Sequence, residues 1–153
     1  MPLDSGPGSY VLVVGVASPI RLAVGRLGVL ALGPGNYLYV GSALAGLRRR
    51  ILRHLRRGRP YWHIDYLLRV ADVRELWTIG SARRVECDVA RLLAGLVRMV
   101  AAGFGASDCR CTSHLFHVEG SEQLRSVLDA LRIAYPVQVI RSKEIRTIAA
   151  LGQ

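Results

Sequence analysis

The 153-residue sequence has a single lysine, no apolar run that approaches the length of a membrane span, and no linker rich in serine, glycine and proline. Without such a run, the chain has no candidate for a membrane-spanning helix. Without a linker, residues 1–153 are expected to form a single domain. The first residues also lack the basic-then-apolar order of a signal peptide, so we expect a cytoplasmic protein with no membrane partner.

Arginine carries nearly all of the positive charge. The net charge is +10, with Lys143 as the single lysine and six arginines between Arg48 and Arg57. A planar guanidinium makes bidentate contacts with phosphate that an ammonium group cannot make. A biased genome composition or a hot habitat could produce the same excess, and the basic segment could be no more than a solvated helix face. We favour nucleic acid as the partner, DNA more than RNA.

Apolar stretches alternate with turn residues ahead of this arginine cluster. Residues 10–16, YVLVVGV, are apolar and β-branched, which predicts an inner strand covered on both faces. Two further stretches, IRLAV and LGVLAL, meet across a Gly-Arg pair, and NYLYV follows the turn GPG. The pattern predicts a meander of three or four strands.

A basic amphipathic helix is predicted from Gly46 to about Gly58. Its apolar stripe consists of Leu47, Ile51 and Leu55, each four residues after the last. At 100° per residue, Arg50 and His54 share one flank of this stripe, whereas Arg49, Arg53 and Arg56 point further toward solvent. We predict that the arginines of this segment bind nucleic acid, namely Arg48, Arg49, Arg53, Arg56 and Arg57.

The remaining pattern mixes helices and strands. It predicts a short helix over 61–69, a strand over 72–79, a long helix from 84 to about 101, and then a helix, a strand and a last helix over 121–131, 136–140 and from 142. We therefore expect a single α+β domain in which helices flank a small antiparallel or mixed sheet of about four to six strands. Residues 118–153 would complete the sheet and core as a C-terminal extension.

Glu86 departs from the two-faced pattern of the long helix, whose predicted apolar face is Val85, Val89, Leu92, Leu96 and Val100. On a helical wheel Glu86 projects between Leu93 and Val97, at the edge of the apolar arc. An isolated carboxylate there is unfavourable unless it is paired or bound to a metal. The alternative is a first-turn glutamate that complements the helix dipole.

The loop GFGASDCRCTSHLFH contains the spacing Cys109-x-Cys111-x2-His114-x2-His117. Two thiols and two imidazoles could form a tetrahedral zinc site, but the spacings are tighter than those of typical zinc fingers. His114 also shares the face of a predicted strand with Phe116. We therefore expect these side chains to pack at the start of the strand, without stoichiometric zinc. The third cysteine, Cys87, lies on the long helix, and a disulfide is not expected in the cytosol outside hyperthermophiles.

Residues 39–43, YVGSA, followed by Leu47, Arg50 and His54 on a basic helix, resemble the GIY-YIG nuclease superfamily. That superfamily includes homing endonucleases and the incision subunit of excision repair. Gly8-Ser9-Tyr10 is similar to its upstream Gly-x-Tyr strand, and Glu86 to its metal-binding glutamate. The strings YWHID at 61–65 and GFGASDC at 103–109 resemble an uncharacterised branch that is sometimes fused to a DNA-repair glycosylase. The resemblance covers most of residues 8–117.

This resemblance implies a metal-dependent endonuclease of DNA, in repair or recombination. Tyr10 or Tyr39 would help to deprotonate the attacking water, Arg50 and His54 would act beside the phosphoryl group, and one Mg²⁺ or Mn²⁺ on Glu86 would stabilise the leaving oxygen. We expect the arginine-rich helix to lower the phenol pKa values. The resemblance further suggests supporting roles for Gly41, His63, Asp65, Ser107 and Asp108.

Three alternatives stay open at this point. The chain could be a nucleic-acid binder without catalysis, or a structural module held together by zinc. His63 could be a packed core histidine rather than part of a site. Relative to the superfamily, in which a short loop joins the two tyrosine strands, residues 17–35 are an insertion.

Overall fold

The computed structural model describes residues 3–56, 58–107 and 109–151. The strands are β1 (Gly8–Val16), β2 (Ile20–Ala23), β3 (Val29–Leu32), β4 (Gly35–Ala43), β5 (Asp72–Gly80), β6 (Arg98–Met99), β7 (Leu115–Val118) and β8 (Gln138–Arg141). The α-helices are α1 (Leu47–Leu55), α2 (His63–Leu68), α3 (Glu86–Ala94), α4 (Ser121–Ala134) and α5 (Ser142–Leu151). A 3-10 turn over Gly25–Leu27 joins β2 to β3.

Six of the described strands form one sheet in the order β6-β7-β4-β1-β5-β8. Neighbouring strands run antiparallel. The first strands form a meander, and the predicted α+β class with helices flanking a small sheet is confirmed. β1 is a central strand, and all 9 of its residues are buried, as its continuous apolar run predicted.

The insertion between the tyrosine strands does not separate them. β2 and β3 pair with each other as a separate two-stranded sheet. β1 and β4 therefore remain neighbours, with Tyr10 opposite Gly41 and Leu12 opposite Tyr39. This register brings both tyrosines to the same region of the sheet.

The sheet has a hydrophobic core on each face, because successive side chains of a strand point to opposite sides. Tyr10, Leu12 and Val14 pack on the face covered by α1, α2 and α5. Val11 and Val13 pack on the other face, against α3 and α4. Each buried aliphatic side chain contributes about 1.5–3 kcal/mol relative to exposure. The two cores hold β1 and β4 rigidly, and these strands carry the tyrosines.

The long helix is shorter than its sequence pattern predicted. α3 ends at Ala94, and Gly95, a poor helix former, occupies its C-cap. The chain then turns so that Arg98 and Met99 form the edge strand β6 against β7. The buried positions are Val89, Ala90 and Leu93, whereas Leu96 is 46% exposed. The prediction of a helix to residue 101 is wrong because pairing with β7 satisfies the backbone of this segment instead.

Among the described residues, no helix is both long enough and apolar enough to cross a membrane.

Candidate active site

A cleft of about 700 Å³ opens beside the first residues of β1 and the last residues of β4. Four predicted catalytic or metal-binding side chains line it, namely Tyr10, Tyr39, Arg50 and Glu86. Three of the predicted supporting residues line it as well, namely Gly41, His63 and Ser107. The structure thus brings together side chains from β1, β4, α1, α2, the first turn of α3 and the loop after β6.

Gly41 gives the Tyr10 ring its position. The two residues face each other across the β1–β4 ladder. A Cβ atom added to Gly41 would lie 2.3 Å from the Tyr10 hydroxyl oxygen and from the ring carbon that bears it. Any side chain at position 41 therefore has to displace the ring. Gly41 supports the site by leaving room for Tyr10.

His54 lies behind Tyr10 and contacts its hydroxyl group. The Tyr10 oxygen is 2.6 Å from Nε2 of His54, and only 3% of His54 is exposed. Burial lowers the pKa of His54 to about 3, with Arg50 and Arg53 acting in the same direction and Asp65 opposing them. His54 is therefore neutral at physiological pH. Its Nδ1 atom has no hydrogen-bond partner among the described residues and lies 3.9 Å from Oδ1 of Asp65.

The protonation of Tyr10 differs from the expectation. Burial raises the pKa of Tyr10 well above its ordinary value, and neighbouring Tyr39 raises it further. The positive charge of the Arg50 guanidinium lowers the pKa, but it does not offset the burial. The expectation that the arginines would lower the phenol pKa is wrong for Tyr10, because the ring is 1% exposed. Tyr10 is a neutral phenol with a neutral imidazole beside it.

Trp62 orients the arginines of α1. The guanidinium carbon of Arg50 lies 4.4 Å from the centroid of the Trp62 ring, and that of Arg53 lies 3.6 Å from it. Both distances are those of cation–π contacts. The sequence signal for Trp62 is its place beside His63 in the string YWHID.

Asp65 forms the start of α2 and engages Arg53. Its carboxylate accepts two hydrogen bonds from Arg53, both at 3.1 Å, and two from the backbone N–H groups of Tyr61 and Trp62, at 2.9 and 2.8 Å. Burial alone would raise the pKa of Asp65, but these hydrogen bonds outweigh it and lower the pKa. Asp65 therefore supports the site through Arg53 and Trp62.

The arginines of α1 fall into two groups. The Arg53 side chain is 36% exposed and makes an ion pair with Asp65, so it is only partly open to solvent. Arg49 and Arg56 are exposed, and Arg48 is half-buried. Arg57 lies outside the described residues.

His63 holds the loop that forms one wall of the cleft. Its Nδ1 atom accepts a hydrogen bond of 2.9 Å from the N–H of Gly105, and its ring packs against Phe104. Burial lowers the pKa of His63. Gly105 has φ +66°, and a Cβ there would lie 2.8 Å from the Tyr39 ring. His63 thus positions the loop against Tyr39. Asp108, predicted to support the site from the same loop, lies outside the described residues.

Glu86 is the first residue of α3, lines the cleft and forms an ion pair with Arg84. Its side chain is 13% exposed, and Oε1 lies 2.8 Å from Nε of Arg84, which lines the same cleft. The negative charge of Glu86 contributes to the raised pKa of Tyr10. Mg²⁺ in phosphate-processing sites is held by one or two carboxylates together with substrate oxygens and water. One carboxylate in an open cleft fits that description.

A family model described as a domain of unknown function, DUF123, matches residues 9–135. The chain belongs to the DUF123 family. Every residue that lines the cleft falls within the matched range of this DUF123 domain. The comparison with curated proteins and the comparison with solved structures gave no match.

The DUF123 domain also contains a cluster of cysteines that the spacing of the loop did not reveal. Ligand atoms of Cys87, Cys109, Cys111 and His114 all lie within 4.8 Å of one another. The three thiols are free. Burial raises the pKa of the Cys87 thiol to about 12, and the neighbouring thiols contribute. Cys87 was missed because it lies on α3, 22 residues before Cys109.

His117, the fourth ligand that the sequence suggested, lies elsewhere in the DUF123 domain. Its ring centroid is 4.8 Å from that of Tyr37, and its Nε2 atom is 3.4 Å from the Pro34 carbonyl oxygen. His117 is on β7, where it pairs with Tyr37 of β4. His117 is therefore not part of the cysteine cluster, and the loop spacing was wrong to suggest it as a ligand.

Proposed function

We propose that this protein is a metal-dependent endonuclease that hydrolyses DNA phosphodiester bonds, acting in the cytoplasm in DNA repair or recombination. The observation that carries the proposal is the convergence of Tyr10, Tyr39, Arg50 and Glu86 on one cleft. The set combines hydroxyl groups, a cation that suits phosphoryl oxygens and a carboxylate that suits a metal ion. The resemblance of the Tyr39 to His54 segment to the GIY-YIG nucleases supports the same assignment.

The first step that the geometry supports is removal of a proton from the attacking water. Tyr10 takes this proton as it gives its own to Nε2 of His54, 2.6 Å away. His54 is a weak base in the resting protein because its pKa is about 3. The Asp65 carboxylate, 3.9 Å from Nδ1, stabilises the imidazolium as it forms. General base catalysis of this kind contributes about 10²–10⁴-fold to a rate.

Arg50 is positioned to neutralise charge on the phosphoryl oxygens. Its guanidinium lies against Trp62, 4.4 Å from the ring centroid, so contact with the indole helps to orient its planar fork. A fork held in this way binds two phosphoryl oxygens at once and needs no reorganisation as charge develops in the transition state.

Glu86 would hold one Mg²⁺ or Mn²⁺. When bound, the cation supplies electrostatic stabilisation of the leaving oxygen. Arg84 already pairs with Oε1 of Glu86 at 2.8 Å, so cation binding has to loosen this ion pair or share the carboxylate with it. The side chain of Arg84 is 56% exposed and has space to move away.

A basic depression beside the cleft offers a path for the DNA backbone. Its walls include Arg49, Arg50, Arg53 and Arg56, and its volume is about 490 Å³. It shares Arg50 and Trp62 with the cleft. A phosphodiester chain lying on the exposed arginines of α1 therefore leads to the tyrosines.

The experiment that tests the proposal is incubation of the purified protein with linear, nicked, flap and junction DNA, with Mg²⁺ or Mn²⁺ and with EDTA. We expect metal-dependent cleavage that Glu86→Gln abolishes while DNA binding persists. Glu122→Gln is the matched control, since Glu122 is also a first-turn glutamate but lies exposed on α4. Cleavage by Glu86→Gln at the parental rate would contradict the mechanism.

A DNA-binding protein without catalysis is the second candidate. Two observations favour it. The ion pair with Arg84 occupies the Glu86 carboxylate, and the raised pKa keeps the Tyr10 phenol protonated. If the parent protein binds every DNA substrate and cleaves none with either metal, this second function replaces the first.

A further inference from the structure

We propose that Cys87, Cys109, Cys111 and His114 bind a structural Zn²⁺ ion, which reverses the expectation from the loop spacing because Cys87 joins the cluster. Three thiols and one imidazole meet at a point where their ligand atoms lie within 4.8 Å of one another. The closest pair given by the hydrogen-bond geometry is Sγ of Cys109 and Nε2 of His114, at 3.4 Å. In a tetrahedral site, Zn–S bonds of about 2.3 Å and Zn–N bonds of about 2.0 Å place ligand atoms about 3.5–3.8 Å apart. Small side-chain rotations complete this geometry.

The protonation of His114 is the one that a zinc ligand requires. Its ring is 1% exposed, and Nδ1 lies 3.0 Å from the carbonyl oxygen of Val40. A carbonyl can only accept, so Nδ1 carries the proton and donates it. Nε2 is then the atom with the lone pair, and it faces Cys109. Metal-binding histidines usually donate their second nitrogen to a carbonyl or carboxylate in this way.

Two main-chain hydrogen bonds fix the backbone of His114, and the contact of Nδ1 with the Val40 carbonyl orients its ring. The N–H of His114 donates to the carbonyl of Phe104 at 2.8 Å, and the N–H of Val40 donates to the carbonyl of His114 at 3.0 Å. The ring is therefore held on β4 by contacts that do not involve the thiols. A preformed ligand of this kind favours metal binding, because little ordering is needed when the ion arrives.

The surroundings suit the charge of the complex. Three thiolates and a neutral imidazole around Zn²⁺ carry a net charge of about −1. Arg91 and Arg110 line the same surface depression as Cys87 and Cys111. The two guanidinium groups offset the negative charge of the complex.

The site joins two segments that form walls of the cleft. Cys87 follows Glu86 in the first turn of α3, and Cys109 and Cys111 follow the loop that contains Gly105 and Ser107. Since all four positions around the ion are filled by protein, zinc here has no open position for substrate and acts as a cross-link. This role differs from that of the Mg²⁺ or Mn²⁺ on Glu86, and it would hold whether or not the protein cleaves DNA.

The test is metal analysis of the full chain, purified without chelator and without a histidine tag. We expect about one zinc per chain, and Co²⁺ in its place should give the thiolate charge-transfer and d–d bands of tetrahedral coordination. Cys87→Ser and His114→Gln should lose the zinc. His117→Gln is the matched control and should keep it, because the His117 ring packs against Tyr37 instead.

Thiol reactivity in the parent protein provides a second measurement that does not depend on whether the variants fold. All three cysteines should resist a thiol reagent in the zinc-bound protein and react after chelation, with the release of the metal. A parent protein that contains no zinc and does not bind Co²⁺ would overturn the proposal. Loss of zinc from His117→Gln with retention in Cys87→Ser would overturn the ligand set.

Discussion

The hydroxyl oxygen of Tyr10 lies 2.6 Å from Nε2 of His54, and both side chains are buried. Burial raises the pKa of the phenol and lowers that of the imidazole, so each group disfavours its charged form. The two groups therefore form a neutral hydrogen bond inside the core, and Oδ1 of Asp65 lies 3.9 Å from Nδ1 on the other side of the imidazole. A charge on a bound substrate or metal ion would shift the proton from the Tyr10 hydroxyl to Nε2 of His54.

Tyr10→Phe removes the hydroxyl and keeps the ring. We expect cleavage to fall about 10²–10⁴-fold, the usual contribution of a positioned base. The free energy of unfolding should fall by about 1–3 kcal/mol, because Nε2 of His54 is left buried without its partner. Tyr37→Phe is the matched control: its hydroxyl donates to the Gly33 carbonyl at 2.7 Å, and the residue does not line the cleft. Equal loss of cleavage in both variants would contradict the role of Tyr10.

The stability of the protein should depend on pH through His54. Its pKa falls from 6.5 in the unfolded chain to about 3 in the folded protein. Between these values the unfolded state binds one more proton, so the stabilising contribution is present above pH 6.5 and is lost as the pH falls toward 3. The slope from this group is at most about 1.4 kcal/mol per pH unit.

Urea denaturation at several pH values measures this slope, and His54→Gln should flatten it. His63 adds a contribution of the same sign, because burial lowers its pKa as well. His63→Gln therefore serves as the comparison, and we expect it to have the smaller effect since His63 is less buried than His54. Identical pH profiles for the parent and His54→Gln would exclude a buried neutral histidine.

Gly41→Ala should disturb the site without removing a polar group. The new Cβ would lie 2.3 Å from the Tyr10 ring, so the ring has to move away from His54. We expect a loss of about 1–3 kcal/mol in unfolding free energy, as for other overpacked positions, together with a loss of cleavage. Gly80→Ala is the control, because a Cβ at Gly80 has no heavy atom within 4 Å among the described residues. If Gly41→Ala were as stable and active as Gly80→Ala, the close contact would be of no importance.

DNA affinity should depend on salt through the exposed arginines of α1. Each phosphate contact contributes about 0.9 to the slope of log K against log salt concentration. Arg49→Gln should therefore reduce the slope by about 0.9 if it makes one such contact, and the double variant with Arg56→Gln should reduce it further. Arg132→Gln, an exposed arginine on α4 over the other face of the sheet, should leave the slope unchanged. Equal slopes for all the variants would assign DNA binding to another surface.

Local patterns in the sequence determined much of the architecture. The apolar run of β1, the alternating stretches that follow it and the i, i+4 stripe of α1 each depend on residues close in the chain, and their periods were sufficient to predict them. The same wheel placed Arg50 and His54 on one flank of α1, where the structure has them. The end of α3 was predicted wrongly, because the pairing of β6 with β7 involves residues nearly twenty positions apart.

Only the tertiary structure decided how these side chains meet. The contact of Tyr10 with His54 joins residues 44 positions apart, and it exists because α1 packs on the face of β1 that carries Tyr10. Burial by that same packing reversed the expected direction of the Tyr10 pKa. Cys87 joins Cys109 and His114 because α3 lies beside the loop before β7. Sheet register and helix packing set these distances, and both depend on long-range contacts that no local period encodes.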